Sequence, residues 1–517
     1  MLVSTAVLVV CNATANLAGC FHVKSGARVP CFQEDDAAED VRLWLSKAVG
    51  HNLTLHASNE SWCTGAHRPS AAAPVIAIGP GAAKWCGLPD SALDGLGLEG
   101  VLVTNTGVEP GCVVATGAVG APRGTLYAGT ELLELLGFRF LHEEQTVVPA
   151  TSNLTMPPSL HRRYVPQLEY RAFDDFTATV TPRWVQHARV NSLADWGTRW
   201  SSDIASGGSI DYAQGPPASN LTFPGFSHTA FNLVPPYLMS EHPDWFGGDP
   251  KSTVPVGGQL CWASPGLIDY LTQRVQGMLR GPSLGAKIVS ISNNDAAPPP
   301  PGVSRWCNRS EDAAVIAEEG SPMGPLLRAV NAVAKAIESE FPDVAISTMA
   351  YQHTSKPPRL TKPRGNVIIR LCVGYNASFS ATANNHFQQE LATWQNISSR
   401  VYLWDYRANF NDLGFLSPYA YWGSIVPNMK TFKAAGVKGY FGEGDMTNLH
   451  GDLQELGMYI NTMAAWDSDR WSYQEMLQDF IPGFYGPAAA PYVLQYVEMM
   501  SHYAQTYGVG DSRNNYL

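Results

Sequence analysis

From about residue 168 onward, short apolar segments alternate with helical segments, and this alternation is the feature that most constrains the fold. One helical segment, Met323–Phe341, carries Leu326, Val330, Val333 and Ile337 on a single apolar stripe. Strands that are apolar on both faces and alternate with helices form parallel sheets, so the pattern predicts an α/β fold containing a (β/α)8 TIM barrel. The eight predicted strands are Leu168–Phe173, Val190–Trp196, Phe223–Phe231, Ala286–Ser292, Val344–Tyr351, Asn366–Val373, Arg400–Tyr406 and Val437–Glu443.

The barrel is expected to occupy residues 161–470. Residues 1–160 are predicted to form a small α+β domain with an amphipathic helix over Glu39–Ala48, and residues 471–517 a C-terminal helical segment. The apolar stretch Leu2–Val10 fits either the core of a signal peptide or a first buried strand. Because it lacks a basic start, the strand is favoured.

The charge balance bears on the class of partner. The 517 residues include 34 basic and 45 acidic side chains, a net charge of -11, and no block of Lys or Arg. Nucleic acids and anionic membrane surfaces attract clustered cations, so neither is an expected partner. No apolar run reaches the length of a membrane span. A small or neutral polymeric ligand is therefore expected, and the oligomeric state stays open.

Potential glycosylation sites and cysteines bear on the cellular compartment. None of the nine cysteines forms a Cys-X-X-Cys pair, which disfavours zinc ribbons and thioredoxin-type motifs and favours disulfides with one thiol left over. The cysteines and the potential glycosylation sites together indicate a secreted protein or one of the endomembrane lumen. The eight Asn-X-Ser/Thr sites are at Asn12, Asn52, Asn59, Asn153, Asn220, Asn308, Asn376 and Asn396.

Polar residues collect at the ends of the predicted strands. In parallel barrels the active site forms at these ends, because the following loops converge there while the interior is packed. The sequence Ile288–Asp295 is the clearest case, since an alternating strand stops on Asn-Asn-Asp and a proline-rich loop follows. The collected residues are Arg171, Asp174, Asp175, His228, Asn232, Asn293, Asn294, Asp295, Tyr351, Gln352, His353, Arg370, Trp404, Asp405, Tyr406, Glu443 and Asp445.

Carboxylates combined with aromatic rings suit carbohydrate chemistry. Cleavage of a glycosidic bond needs a carboxylic acid to protonate the leaving oxygen and often a second carboxylate as base or nucleophile. Asp295, Asp405 and Glu443 are the catalytic candidates. Asp405 is equally well explained as a structural residue that caps a loop or pairs with Arg407. The candidate substrate-binding residues are Arg171, His228, Asn232, Asn294, Tyr351, Gln352, Arg370, Trp404 and Tyr406, of which His228 is equally well explained as a structural imidazole.

Other chemistries lack their sequence signatures. A Gly-X-Ser-X-Gly elbow, a His-Glu-X-X-His pair and a Gly-X-Gly-X-X-Gly loop after a strand are all missing from the sequence. We therefore expect neither a metal ion nor a cofactor.

Several motifs resemble a glycoside-hydrolase-like family known mainly as a domain of unknown function. Residues 1–160, with Arg123–Tyr127 and Leu136–Phe140, resemble the small domain that precedes the barrel in α-glucuronidases and β-N-acetylhexosaminidases. The family motifs are His228–Pro236, Glu241–Phe246, Gly258–Cys261, Val289–Asp295, Glu319–Pro322, Ala350–Gln352, Lys356–Pro358, Leu403–Tyr406 and Gly436–Gly439.

The resemblance implies a general acid at Asp295 that faces Asp405 or Glu443. Hexosaminidase-like enzymes end the fourth strand on Asp-Glu, whereas this chain has Asn294-Asp295, which puts substrate-assisted chemistry in doubt. The cysteine cluster that many members carry is reduced to Cys307, which implies a Cys261–Cys307 disulfide. The sequence thus predicts a glycoside hydrolase. The alternative is a non-catalytic carbohydrate-binding or cell-surface protein on a degenerate barrel.

Overall fold

The structure is a computed structural model. It describes residues 2–11, 16–22, 27–31, 33–56, 74–142, 144–149, 154–175, 182–193, 227–247, 258–281, 287–295, 306–373, 384–408, 419–445, 451 and 453–507.

The first part of the chain alternates strands and helices around one sheet. The predicted helix Glu39–Ala48 lies within the first helix. In chain order the elements are β1 (Val7–Val10), β2 (Asn16–His22), β3 (Ala27–Cys31), α1 (Gln33–Val49), β4 (Leu55–His56), β5 (Val75–Ile78), α2 (Gly79–Trp85), β6 (Val101–Thr104), β7 (Cys112–Thr116), α3 (Pro122–Leu135), β8 (Arg139–His142), β9 (Gln145–Val147) and β10 (His161–Tyr164).

The first sheet has the spatial order β10-β6-β7-β5-β1-β4. Strands β4, β1, β5 and β7 run parallel, whereas β6 and β10 are antiparallel to their neighbours. Side chains of α1 and α3 pack on one face of the sheet, and α2 packs on the other. Both faces of the parallel strands are therefore buried, which explains their continuous apolar sequence. Leu8, Val9 and Val10 of β1 are fully buried, as predicted for a strand at this position.

The second part of the chain supplies a second sheet and its helices. In chain order its elements are β11 (Tyr170–Phe173), α4 (Pro182–His187), β12 (Ser192–Leu193), α5 (Ala230–Leu233), α6 (Leu267–Arg280), β13 (Ile288–Ser290), α7 (Ser310–Glu319), α8 (Met323–Ile337), β14 (Ala345–Ala350), β15 (Val367–Cys372), α9 (Asn385–Gln395), β16 (Val401–Tyr406), α10 (Trp422–Ala434), β17 (Gly439–Glu443), α11 (Gln454–Asp467), α12 (Tyr473–Tyr485) and α13 (Ala490–Tyr507). Among these described helices, none is long and apolar enough to cross a membrane.

Within the described residues the second sheet has seven strands in the order β12-β11-β17-β16-β15-β14-β13, and every neighbouring pair is parallel. The first strand, β11, pairs with the last, β17, so the sheet curls back on itself. Its open edges are β12 and β13, where the predicted third strand, Phe223–Phe231, would lie. Residues 223–226 lie outside the described residues, and the extended structure predicted for the rest is wrong, because Ala230 and Phe231 begin helix α5. A complete eight-stranded barrel stays a prediction.

The interior of the curled sheet is aromatic. Strand alternation sends Tyr402, Trp404 and Tyr406 of β16 inward, where they join a buried cluster, and sends Val401 and Leu403 outward against the helices. Other inward residues are Tyr170, Ala172, Ile288, Ala345, Met349, Ile368 and Phe441, with Tyr351 and Cys372 at the margin.

Two disulfides join described residues. Cys86 is bonded to Cys112, and Cys261 to Cys307, which confirms the pairing implied by the family resemblance. Cys372 is the free thiol among the described cysteines.

Candidate functional site

The candidate site lies at the carboxyl-terminal edge of the second sheet, and Glu443 is a buried carboxyl group of this site. Glu443 is the last residue of β17 and only 8% exposed. The indole Nε1 of Trp404, on neighbouring β16, donates a hydrogen bond of 2.6 Å to its Oε2. Trp404 packs edge-on against Phe441 with ring centres 4.6 Å apart, which holds the indole in place. Asp174, at the end of β11, accepts the backbone N–H of Gly444 at 2.7 Å and fixes the end of β17.

The surroundings of Glu443 alter its acidity. Burial raises the pKa of Glu443 to about 7, the Trp404 hydrogen bond opposes this rise, and the negative charge of Asp295 adds to it. A carboxylic acid in such surroundings keeps its proton close to neutral pH.

Asp295 follows β13 and is exposed at the same edge of the sheet. The two residues before it are used to hold the strand end. Trp262 donates from Nε1 to Asn293 Oδ1 at 2.7 Å. The side chain of Gln259 exchanges two 2.8 Å hydrogen bonds with the backbone of Asn294. The side-chain oxygen of Asn294 accepts from Phe231 N at 3.2 Å, and its nitrogen donates to Gly258 O at 3.1 Å.

His228 lies between these elements in a left-handed backbone conformation, with φ at 53°. Its Nδ1 donates to the carbonyl oxygen of Asn293 at 3.0 Å. Burial lowers the pKa of His228, while Asp295 and the Asn293 carbonyl act in the opposite direction. The neutral ring that results leaves Nε2 as a hydrogen-bond acceptor. A left-handed conformation of a non-glycine residue near the charge of Asp295 is typical of a functional site.

Tyr351 and Gln352 line the edge next to β13. The ring of Tyr351 contacts that of His228, with centres 6.0 Å apart. Burial and the charge of Asp295 raise the pKa of Tyr351 to about 12, while hydrogen bonds with Tyr406 and Gln352 act against this. Gln352 is exposed and has φ at 48°, a second left-handed residue at this edge.

Arg370 and Cys372, both on β15, lie deeper in the interior. The Arg370 guanidinium is fully buried, 5.8 Å from the ring centres of Tyr170 and Trp404. Burial lowers the pKa of Arg370 and raises that of the Cys372 thiol. Cys372 lies opposite Trp404 in the strand register, and the charges of Glu443 and Asp295 both reach its sulfur.

Asp405 does not join this group. It lies between the inward residues Trp404 and Tyr406, so alternation turns it to the outer face of β16. There it accepts a 2.7 Å hydrogen bond from the hydroxyl of Tyr440, which packs in the outer core. Its expected alternative partner, Arg407, forms a buried ion pair with Asp175 instead. The catalytic assignment of Asp405 is therefore corrected to a structural one.

Three predicted substrate-binding residues also differ from their predicted setting. Arg171 points outward from β11, and its guanidinium donates to Glu99 at 2.6 Å and to two backbone carbonyls. The side chain of Asn294 is occupied by the contacts described above. Asn232 lies on helix α5 rather than on a strand. The remaining predicted residues at this edge are Asp295, Glu443, His228, Tyr351, Gln352, Trp404 and Tyr406, with Arg370 beneath them.

The sequence-based prediction missed the residues that support this edge. Gln259 and Trp262 brace the end of β13, and the Cys372 thiol lies within reach of the charges of Glu443 and Asp295. The signal was the motif Gln259-Leu-Cys-Trp262, which combines an amide, an indole and a disulfide cysteine just before a helix. Within the described residues, the group with metal-ligand spacing is Cys261, Cys307 and Asp312, and its two sulfurs are already bonded to each other.

The fold and the site together define an α/β protein with two carboxyl groups at the carboxyl-terminal edge of a curled parallel sheet. The family model described as "Domain of unknown function (DUF4838)" matches residues 140–498, and the chain belongs to this family. No curated protein matches the chain.

Solved structures with a weak overall likeness include glycoside hydrolases. One is a GH138 enzyme targeting pectin rhamnogalacturonan II, with a TM-score of 0.40 and 11% identity over 98% of this chain and 56% of its own. Another is a family 89 enzyme from Clostridium perfringens in complex with its substrate GlcNAc-α-1,4-galactose, with a TM-score of 0.41 and 11% identity over 75% of this chain and 47% of its own. The chain thus spans about half the length of each of these structures.

Proposed function

We propose that the protein is a glycoside hydrolase in which Glu443 is the general acid and Asp295 the second carboxylate. The observation that carries the proposal is the buried Glu443 carboxyl, hydrogen-bonded to an indole and raised in pKa, with the exposed Asp295 charge acting on it. These are the opposite roles from those expected from the sequence. A protonated acid needs an enclosed site, and an ionised base or nucleophile needs a hydrated one, so the surroundings favour the reversed assignment.

In the proposed reaction Glu443 donates its proton to the leaving oxygen as the glycosidic bond breaks. Asp295 either attacks the anomeric carbon or removes a proton from the attacking water. The partly exposed ring of Tyr351 offers apolar surface for the sugar, since carbohydrate rings stack on aromatic side chains through their C–H faces. The rings of Trp404 and Tyr406 are buried in the aromatic interior and support this edge. The Nε2 atom of His228 is proposed to accept a hydrogen bond from a sugar hydroxyl.

We propose that the second sheet closes as a (β/α)8 barrel over residues 161–470, with the α+β domain before it and the helical segment 471–517 after it. Pairing of the first strand with the last supports closure, since a (β/α)8 barrel brings these two strands side by side. The two disulfides support a secreted or endomembrane location. Three of the potential glycosylation sites, Asn52, Asn308 and Asn396, are described and lie at least partly exposed.

A leaving-group comparison tests the proposal. The wild-type protein is screened against p-nitrophenyl glycosides and matching disaccharides, with GlcNAc-α-1,4-galactose in the panel. A nitrophenolate leaves without protonation, whereas a sugar alcohol does not. Glu443→Gln is therefore expected to lose at least about 100-fold in kcat/KM on a disaccharide and much less on the nitrophenyl glycoside. Asp295→Asn should lose activity on both substrates.

The alternative function is that of a non-catalytic carbohydrate-binding protein. It predicts that calorimetry detects glycan binding by the wild-type protein and by Asp295→Asn, with no turnover in either. Turnover that is unaffected by both Glu443→Gln and Asp295→Asn would contradict the proposed mechanism.

A further inference from the structure

We infer that Trp306 and His353 form an additional aromatic binding site for a sugar ring next to the one that is cleaved. This inference rests on the proposed function and adds a ligand subsite to it. The two rings are stacked, with centres 3.9 Å apart and planes inclined by 21°. Trp306 is partly exposed and His353 exposed, so the pair lies at the surface rather than in the core.

The pair lies at the same edge of the sheet as Asp295. His353 follows two residues after Tyr351, whose hydroxyl is within reach of the Asp295 charge. Trp306 precedes Cys307, which is bonded to Cys261.

Cys261 in turn lies between the residues that brace β13. Gln259 bonds to the backbone of Asn294, and Trp262 donates to Asn293. The disulfide therefore ties Trp306 to the segment that presents Asp295. The stack joins the loops after two neighbouring strands, β13 and β14.

A second His–Trp stack shows what such a pair looks like in a structural role. His242 and Trp245 are stacked with ring centres 3.8 Å apart, but Trp245 is only 4% exposed and its Nε1 donates to Pro265 O. That stack is part of the core. Holding two rings together at the surface costs side-chain conformational entropy and buries little apolar area in return. An exposed stack at a strand end is therefore typical of a ligand-binding platform.

The chemistry of the pair fits a neutral sugar ring. Partial desolvation of the His353 ring lowers its pKa, so the ring is uncharged at neutral pH and the stack offers flat apolar surface with polar atoms only at its rim. The C–H face of a pyranose matches such a surface. A nucleic-acid base would also stack, but the net charge of -11 disfavours its phosphates. Gln352, the residue before His353, has a left-handed backbone conformation with φ at 48°. Such strained residues are often found at ligand-binding sites.

The test compares one-ring and multi-ring substrates. Trp306→Ala is expected to raise KM for an oligosaccharide roughly 3- to 10-fold and to leave KM for the glycosyl fluoride of the cleaved sugar, which has no second ring, unchanged. Trp306→Phe should restore most of the loss because it keeps an aromatic face. Tyr492→Ala removes a 75% exposed aromatic ring from α13 and serves as the control, with no change expected on either substrate.

Binding without turnover separates this inference from the proposed function. Calorimetry with the oligosaccharide panel is repeated on Glu443→Gln, with and without Trp306→Ala. Weaker binding in the double variant supports the platform even if the wild-type protein cleaves nothing. Equal binding in both proteins, equal KM shifts on one-ring and multi-ring substrates, or no binding of any panel member would overturn it.

Discussion

The acidity of Glu443 is set by three influences that act in different directions. Burial and the charge of Asp295 favour the protonated form, and the Trp404 N–H favours the ionised form. The balance leaves the group near its midpoint at neutral pH, where a general acid works well. The same balance makes the pH profile of the enzyme a direct readout of the site.

The rate is expected to fall as pH rises through about 7, because Glu443 then loses its proton. Trp404→Phe removes the hydrogen bond that stabilises the ionised form, so the pKa of Glu443 should rise further. The fall in kcat/KM should then move to higher pH by about one unit. Initial rates between pH 4 and 9 check this, and an unchanged or lower midpoint would contradict it.

The same pKa has a consequence for stability. Glu443 has a raised pKa in the folded state, so folding is favoured most below the ordinary pKa of 4.5 and less as pH rises towards about 7. Above that pH its contribution no longer changes. Denaturant melts of the wild-type protein and Glu443→Gln should therefore converge at low pH and separate with rising pH, the variant being relatively more stable at pH 8. Parallel curves would show that burial does not perturb Glu443.

For individual residues, the sequence predicts which ones lie at strand ends, but not which ones face the interior of the sheet. Both carboxyl candidates, Asp405 and Glu443, were found because each lies at the end of an apolar strand. The strand Val401–Tyr406 is apolar on its inner and outer sides, so polarity gave no sign of which side faces the ligand. Packing determines the orientation of the strand. Asp405 bonds to Tyr440 on the outer face, and Trp404 packs against Phe441 on the inner face.

The end of β13 shows how a loop can be held by the residues that precede a catalytic group. The polar groups of Asn293 and Asn294, the two residues before Asp295, are hydrogen-bonded to Trp262, Gln259 and Gly258. Their polar character therefore serves to fix the strand end, and only Asp295 of the three is exposed. The sequence identified the motif, but the bracing contacts come from a segment about 35 residues away and could not be read from local pattern.

The segment after Ser227 does not form the element that the sequence predicts. The predicted third strand, Phe223–Phe231, ends on Thr229-Ala-Phe, and so short a stretch fits a strand and a helical turn equally. In the structure Ala230–Leu233 is helical, and the Thr229 hydroxyl donates to Ser290 O at 3.0 Å. The tertiary contact with β13 therefore favours the helical turn where the local sequence fits both structures.

The loop at Glu319 allows a prediction at the scale of elements. Glu319, at the end of α7, is 1% exposed and accepts from Leu360 N, Thr361 N, Thr361 Oγ1 and Arg328. Removing it in Glu319→Ala leaves these donors without their acceptor, with an expected loss of about 3 kcal/mol in the free energy of unfolding.

The adjacent Glu318 is the matched control. Its side chain is 54% exposed and pairs with the same Arg328 at 2.9 Å. Glu318→Ala should cost less than about 1 kcal/mol in urea unfolding. Equal losses in the free energy of unfolding for the two variants would mean that Glu319 does not hold the loop containing Leu360 and Thr361.

At the scale of the whole molecule, buried ion pairs join the two sheets. Glu99, before β6, accepts from Arg123 and Arg171 at 2.6 Å each and from Asn191 at 2.9 Å. Nearby, Arg189 donates to Glu134 of α3 at 2.7 Å. Arg171 was predicted to bind substrate, but its charge links the curled sheet to the first one. The sequence could not reveal this, because the partner lies 72 residues away in another layer.

Glu99→Ala should leave the Arg171 guanidinium buried without this carboxylate and cost about 3–5 kcal/mol in guanidinium or thermal unfolding. The surface pair Lys84–Asp90 provides the comparison, with an N–O distance of 3.0 Å and side chains 69% and 59% exposed. Asp90→Ala should cost less than about 1 kcal/mol. A similar loss in both variants would argue against a linking role for Glu99.

The most direct test of the central claim compares Glu443→Gln with Asp405→Asn on one cleavable disaccharide. Both carboxyl groups lie near the ends of neighbouring strands, but on opposite faces. With folded fractions matched by circular dichroism, kcat/KM should fall at least about 100-fold in Glu443→Gln and stay within about 3-fold of wild type in Asp405→Asn. A severe loss in Asp405→Asn together with an active Glu443→Gln would contradict the account.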